Sequence, residues 1–174
     1  MIQENIYSKV VRLLLAAVLV FPLAAGAAIV NLSATIDGGQ EVPAVTSLGS
    51  GAASMTFDDI SNLLSWNITF NGLSGPATAA HFHGAAPAGS NAGVLLNIGN
   101  ISGLLDPMVG SATITAPQAT DLLAGLWYIN IHTALNPGGE IRGQVQVVPL
   151  PAAIWLFGFG IVSLIGVSSR RHLA

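Results

Sequence analysis

The chain has 174 residues, a net charge of −3, 7 % charged residues and no cysteine. This composition excludes a basic nucleic-acid binder, and it also excludes disulfides, thiolate metal sites and thiol catalysis. Four of the five basic residues lie near the two ends, whereas residues 28–147 are acidic and contain Arg142 as their single basic residue. A segment of about 120 residues is long enough for one domain with its own core. We therefore expect one domain between two apolar ends.

Residues 1–27 have the pattern of a secretory signal peptide. Lys9 and Arg12 precede an apolar stretch, residues 13–25, and Ala25 and Ala27 supply the small residues at positions −3 and −1 of a cleavage site. The alternative is an N-terminal membrane anchor, but the apolar stretch is too short to span a bilayer. We expect export of the chain and cleavage by signal peptidase near Ala27.

Residues 28–147 alternate short apolar segments with turn residues, which is typical of an all-β sandwich or barrel. The predicted strands are 29–36, 51–57, 63–70, 77–83, 94–98, 111–115, 126–133 and 140–148. Residues 115–125 combine a capping threonine, an early proline and a final glycine, which predicts one short helix. Glu41, before Pro43, is expected in an exposed loop. The expected fold is an all-β Greek-key sandwich or flattened barrel of about eight strands with one short helix.

The last predicted strand alternates apolar and polar residues. Ile141 and Val145 share one face with Gly143, and Arg142 and Gln144 lie on the other. We expect this strand to be half-buried.

Three histidines form the one constellation that suggests chemistry. His81 and His83 are two apart in a predicted strand and therefore share a face, while Phe82 points to the other. The alternation in residues 126–133 places His132 on the polar face as well. If the two strands lie close, three neutral imidazoles converge into an open site suited to Cu, Zn or Ni. Glu140 is a candidate acceptor for a ring N–H.

The alternative interpretation of these histidines is structural. They would form hydrogen bonds at a rim of the sheet and tie the small-residue loop after Gly84 to the turn at Asn136. The sequence shows no pairing of nucleophile and base, no paired carboxylates and no glycine-rich phosphate loop that would support a hydrolase. It therefore favours a protein that is not an enzyme.

The C-terminal segment, residues 148–174, joins a proline motif to an apolar stretch and two arginines. Val148-Pro149-Leu150-Pro151 precedes roughly 18 apolar and small residues, which at about 1.5 Å each reach the thickness of a thin bilayer. Arg170 and Arg171 would then lie on the cytoplasmic side. The pattern predicts a C-terminal transmembrane helix.

These 27 residues resemble the PEP-CTERM sorting signal of Gram-negative bacteria, with Leu150 in place of the usual acidic residue of the proline motif. The resemblance implies an inner-membrane intermediate, recognition by an exosortase and cleavage near the motif. It further implies release or attachment at the cell surface or in the extracellular matrix. A plain C-terminal anchor is the alternative.

Residues 30–147 resemble the CHRD domain, first described in chordin. The matching segments, in order along the chain, are Gly39–Pro43, Leu73–Gly75, Ala79–Gly84, Leu123–Thr133 and Asn136–Gln144. The resemblance implies an extracellular β domain, often found in bacterial envelope proteins.

A weaker resemblance is to the copper/zinc superoxide dismutase barrel, which has a His-x-His pair on one strand and a histidine on a late strand. It implies copper at His81, His83 and His132. The bridging histidine, the zinc loop and the disulfide cysteines of that family are missing, so dismutation is not implied.

Two functions follow from the sequence. The first is an exported cell-surface or extracellular-matrix protein whose CHRD-like domain binds a surface polymer or protein, or has a structural role. The second is a copper-binding, redox-active domain that uses the three histidines.

Overall fold

A computed structural model describes residues 29–149 of the chain. The strands in this range are Ile29–Asp37 (β1), Ser50–Asp58 (β2), Leu63–Asn71 (β3), Ala77–His83 (β4), Val94–Asn97 (β5), Met108–Thr113 (β6), Tyr128–Thr133 (β7), Ile141–Gln144 (β8) and Gln146–Val147 (β9). The helical segments are a 3-10 turn at Gly38–Gln40, Ile98–Ser102 (α1) and Ala116–Leu123 (α2).

The strands form one curled antiparallel sheet, a half-barrel, in the order β5-β4-β7-β8-β1-β2-β3-β6, with β9 paired to β1. The β1–β2 and β2–β3 pairs each keep one register along their whole length, from Ile29↔Asp58 and from Ser50↔Asn71. Beyond β3 the order departs from the sequence, because β6 pairs with β3 and β7 pairs with β4. The expectation of an all-β fold is confirmed, and the long connections bring β4, β7 and β8 together.

The inner face of the curled sheet carries the apolar core. Alternate residues of each long strand are buried, as period-two side chains require. Trp66 and Phe82 meet edge to face with ring centroids 5.3 Å apart, and Trp127 packs beside Phe82 at 5.8 Å. Leu122 of α2 is fully buried against this core. Each such side chain contributes on the order of 1.5–3 kcal/mol of burial free energy.

Helix α2 lies where the sequence predicts a helix. The Thr115 hydroxyl accepts from the backbone of Gln118, whose side chain accepts in turn from the backbone N–H of Thr115. Gly125 follows the helix with φ +72°, a left-handed conformation that glycine adopts at low cost. Helix α1 was not expected: Asn97 caps it and ends β5 one residue before the predicted boundary.

The last predicted strand differs from expectation. It is interrupted at Val145, which leaves β8 and the two-residue β9. Arg142 is only 1 % exposed, although alternation places it on the polar face. Its partners Ser90 and Asn91 lie in the loop that follows β4 and covers this face, so both faces of β8 are buried there.

Several predicted features lie outside the described residues. These are the signal peptide with Ala25 and Ala27, the apolar C-terminal helix, and the sorting residues Leu150, Pro151, Arg170 and Arg171. Of the sorting motif the structure describes Val148 and Pro149, and Val148 donates its backbone N–H to the carbonyl of Asn31 at 2.8 Å. Within residues 29–149, helices are all too short or too polar to cross a membrane.

Candidate metal centre

The structure brings the three histidines together on the outer face of the sheet. Strands β4 and β7 are neighbours, with Ala79 opposite His132 and His81 opposite Asn130. One ring nitrogen from each of His81, His83 and His132 lies within 4.8 Å of the other two. The Nδ1 atom of His81 is 3.2 Å from Nε2 of His132. Three imidazoles at this spacing can ligate one metal ion.

Backbone carbonyls fix the orientation of two of the rings. Nδ1 of His83 lies 3.0 Å from the carbonyl oxygen of Ala92, and Nδ1 of His132 lies 3.0 Å from that of Pro137. A carbonyl oxygen only accepts, so each Nδ1 carries the proton and each Nε2 offers a lone pair. The lone pair of His132 Nε2 accepts from the Nδ1–H of His81. Nε2 of His83 is buried and has no hydrogen-bond partner among the described residues. An unpartnered buried acceptor beside two other imidazoles fits a metal ligand.

Glu140 does not serve the histidines, contrary to expectation. Its carboxylate accepts hydrogen bonds from the hydroxyls of Ser47, Ser74 and Thr133 and from the backbone N–H of Ser74. The backbone carbonyls of Ala92 and Pro137 accept the ring N–H groups instead.

The electrostatic environment keeps the histidines neutral. Burial lowers the pKa of all three, and the neighbouring imidazoles lower that of His81 further. For His83, the positive charge of Arg142 adds to the lowering, while the bond to Ala92 opposes it. Since a metal binds the neutral ring, less proton competition has to be overcome at neutral pH.

His83, Tyr128 and Arg142 stack in a row. The His83 ring stacks on Tyr128 with centroids 4.9 Å apart and planes 6° from parallel. The guanidinium carbon of Arg142 lies 3.5 Å from the centroid of the same tyrosine ring. Because β7 lies between β4 and β8, His83 and Arg142 flank Tyr128 from its two sides.

The same three side chains hold the loop that follows β4. The Tyr128 hydroxyl accepts from the backbone N–H of Ala92 and donates to its carbonyl, which also accepts from His83. Arg142 donates to the Ser90 carbonyl at 2.7 Å and to Oδ1 of Asn91 at 3.0 Å. Neighbouring strands thus fix the loop that orients His83.

Glu41 is buried, which corrects the expectation of an exposed loop. It is 7 % exposed, and Nδ2 of Asn130 donates to its Oε2 at 3.3 Å. Burial raises the pKa of Glu41 to about 7, although the charge of Arg142 and the Asn130 bond oppose the rise. Sequence reasoning missed this residue because alternation along a strand says nothing about a loop that folds over the sheet.

The fold and the site together define an antiparallel β half-barrel with a three-histidine cluster on its outer face. The CHRD domain family model matches residues 32–145, and the chain belongs to this family. Searches of curated proteins and of solved structures gave no match. CHRD domains occur in secreted or extracellular proteins. The motif Ala79–Gly84 supplies β4 with its two histidines, and Leu123–Thr133 supplies β7 with the third.

Proposed function

We propose that this chain is an exported bacterial domain that binds copper through His81, His83 and His132. The observation that supports the proposal most is the convergence of three ring nitrogens within 4.8 Å. The free, buried Nε2 of His83 and the lowered histidine pKa values fit the same role. All three candidate ligands are neutral imidazoles, and copper(II) binds such sites more strongly than nickel or zinc.

The residues of the chain have distinct tasks in this proposal. The three histidines hold the ion, and the carbonyls of Ala92 and Pro137 keep the Nδ1–H tautomers of His83 and His132, which makes their Nε2 atoms stronger ligands. Copper bound there supplies one-electron redox chemistry.

A Cu(II) titration of the purified chain, with elemental analysis, tests the proposal. We expect one tightly bound equivalent, and its loss in a His81→Ala/His83→Ala/His132→Ala variant whose circular dichroism is unchanged. His172→Ala, which removes the remaining histidine of the chain, is the matched control and should bind as the parent does. Absence of binding in the parent chain would overturn the proposal and leave the histidines as hydrogen-bonding groups at the rim.

Export and sorting complete the proposal. Residues 1–27 direct the chain out of the cytoplasm of a Gram-negative bacterium, and residues 148–174 hold it in the inner membrane until an exosortase cleaves near Pro149–Pro151. The domain then reaches the cell surface or the extracellular matrix. Mass spectrometry of the mature protein should show loss of residues 1–27 and a new C-terminus near the proline motif. A mature form that retains Arg170 and Arg171 would contradict the sorting step.

A second candidate role, binding of a surface polymer, has support on the outer face of strands β1, β2 and β3, in the other half of the sheet. Apart from Asp37 and Asp58 at the strand ends, the outward residues of β1, β2 and β3 between Asn31 and Thr69 are uncharged. Their hydroxyl and amide groups form cross-strand rows such as Ser33, Ser54 and Asn67. Such a face offers hydrogen bonds to an uncharged polymer. A pull-down of the purified chain by matrix polymer tests this role. We expect binding by the parent chain and its loss when Ser54→Lys and Asn67→Lys are introduced together.

A further inference from the structure

A buried positive charge, that of Arg142, lies beside the candidate metal centre, and no carboxylate of residues 29–149 forms a salt bridge with it. Arg142 is 1 % exposed, and its two hydrogen-bond acceptors are the Ser90 carbonyl and the Asn91 side-chain amide, neither of them charged. Its guanidinium is separated from the His83 ring by the thickness of one aromatic ring, that of Tyr128. In the weakly screening interior, such a charge acts on its neighbours more strongly than a charge in water.

We propose that Arg142, acting across Tyr128, makes the three-histidine site prefer Cu(I) over Cu(II). This inference rests on the proposed function, because it assumes that copper binds at His81, His83 and His132. The guanidinium repels a doubly charged ion more than a singly charged one. The ligands add no negative charge of their own, since all three are imidazoles. The fixed charge of Arg142 therefore raises the reduction potential of the bound copper.

Glu41 is the acidic group whose charge acts on Arg142, and it opposes the effect only when ionised. Its carboxylate and Arg142 interact electrostatically, but burial raises the pKa of Glu41 to about 7. In mildly acidic surroundings Glu41 is protonated, so the charge of Arg142 is left uncompensated. Arg142 is thus a positioning and tuning residue, which acts on the metal through His83 and does not ligate it.

The test compares Cu(I) and Cu(II) affinities, each measured by chelator competition on the full chain at pH 8. A unit charge roughly 10 Å away at an effective dielectric constant of about 20 changes the affinity ratio about tenfold. Arg142→Gln should therefore lower the preference for Cu(I) about tenfold, which equals about 59 mV in the one-electron potential. Arg142→Lys keeps the charge and loses the forked hydrogen bonds, so it should change the ratio by less than about threefold.

A second variant keeps the test decisive if Arg142→Gln fails to fold. Glu41→Gln removes the opposing carboxylate, so at pH 8 it should shift the ratio toward Cu(I), in the direction opposite to Arg142→Gln. An unchanged ratio in Glu41→Gln, or equal ratios in Arg142→Gln and Arg142→Lys, would overturn the inference while leaving copper binding intact. Absence of copper binding in the parent would instead refute the proposed function itself.

Discussion

Removal of the charge of Glu140 should destabilise the domain strongly. Glu140 is fully buried, and its two carboxylate oxygens accept from Ser47 at 2.7 Å, from the backbone and hydroxyl of Ser74 at 2.8 and 2.6 Å, and from Thr133 at 2.6 Å. These donors come from three separate segments of the chain. Glu140→Gln preserves the shape but replaces one charged acceptor oxygen with an NH₂ group that cannot accept.

The size of the effect follows from the protonation equilibrium. Burial by itself raises the pKa of Glu140, but the hydrogen bonds from Ser47, Ser74 and Thr133 outweigh it and lower the pKa from 4.5 to about 2. At about 1.36 kcal/mol for each pH unit, the ionised carboxylate contributes roughly 3 kcal/mol to folding. Because the folded pKa lies below the unfolded one, this contribution is present above pH 4.5 and is lost as the pH falls toward 2.

Urea denaturation followed by tryptophan fluorescence measures this contribution. We expect Glu140→Gln to lose about 3 kcal/mol of unfolding free energy at pH 7, and the difference from the parent to shrink between pH 4.5 and pH 2.5. Asp121→Asn, a partly exposed carboxylate on α2, is the control and should change stability by less than about 0.5 kcal/mol. A loss below about 1 kcal/mol at pH 7, or one that is independent of pH, would refute this account of Glu140.

Three further predictions use the same physical terms. The folded pKa of Glu41, about 7, lies above the unfolded value of 4.5, so the contribution of this group to stability is present below pH 4.5 and is lost as the pH rises through 7. In urea titrations, the unfolding free energy of Glu41→Gln should therefore match that of the parent at pH 4 and exceed it by up to about 3 kcal/mol at pH 8. Burial lowers the histidine pKa values, so the Cu(II) affinity measured by competition should stay constant from pH 8 to below 6.5 and fall only under more acidic conditions; a fall that begins above pH 7 would contradict it. Leu122→Ala should lose about 2–5 kcal/mol in the same denaturation assay, because the side chain is fully buried between α2 and the sheet, and a loss under about 1 kcal/mol would show that α2 is not part of the core.

Local pattern predicted most of the strands and the face that each histidine occupies, although β6 begins three residues before its predicted start at Ser111. The observed bounds of β4 equal the predicted ones, and Phe82 is fully buried while His81 and His83 face outward. This succeeds because side-chain direction in a strand has a period of two, whatever the tertiary structure. The sequence predicted the convergence of His132 with His81 and His83 only on the condition that their strands lie close. That condition depends on the pairing of β4 with β7, which are separated along the chain by β5, β6 and both α-helices.

The alternation of apolar and polar residues could not predict which loops from distant parts of the chain cover the sheet. Arg142 lies on the face that alternation assigns to polar residues, yet it is buried because the residues around Ser90 fold over that face. Glu41 and Glu140 are buried for similar reasons, by contacts to Asn130 and to Ser47 from distant parts of the chain. A single sequence shows which side of a strand a residue takes, but not what covers that side.

The buried charges of Glu41 and Arg142 are accounted for by the proposed function and not by stability. Charged residues make up only 7 % of the chain, yet Glu41, Glu140 and Arg142 are at most 7 % exposed. Arg142 and Glu41 lie on the outer side of β7, next to the histidine cluster, where they contact Tyr128 and Asn130. Glu140 instead bonds to Thr133, which shares the inner face of β7 with the core residues Ile129 and Ile131. Apolar residues of similar volume would often stabilise a fold as well or better than buried charges. In the proposed function, Glu41 and Arg142 set the electrostatic field at the copper site, and a metal that changes its charge responds to such a field.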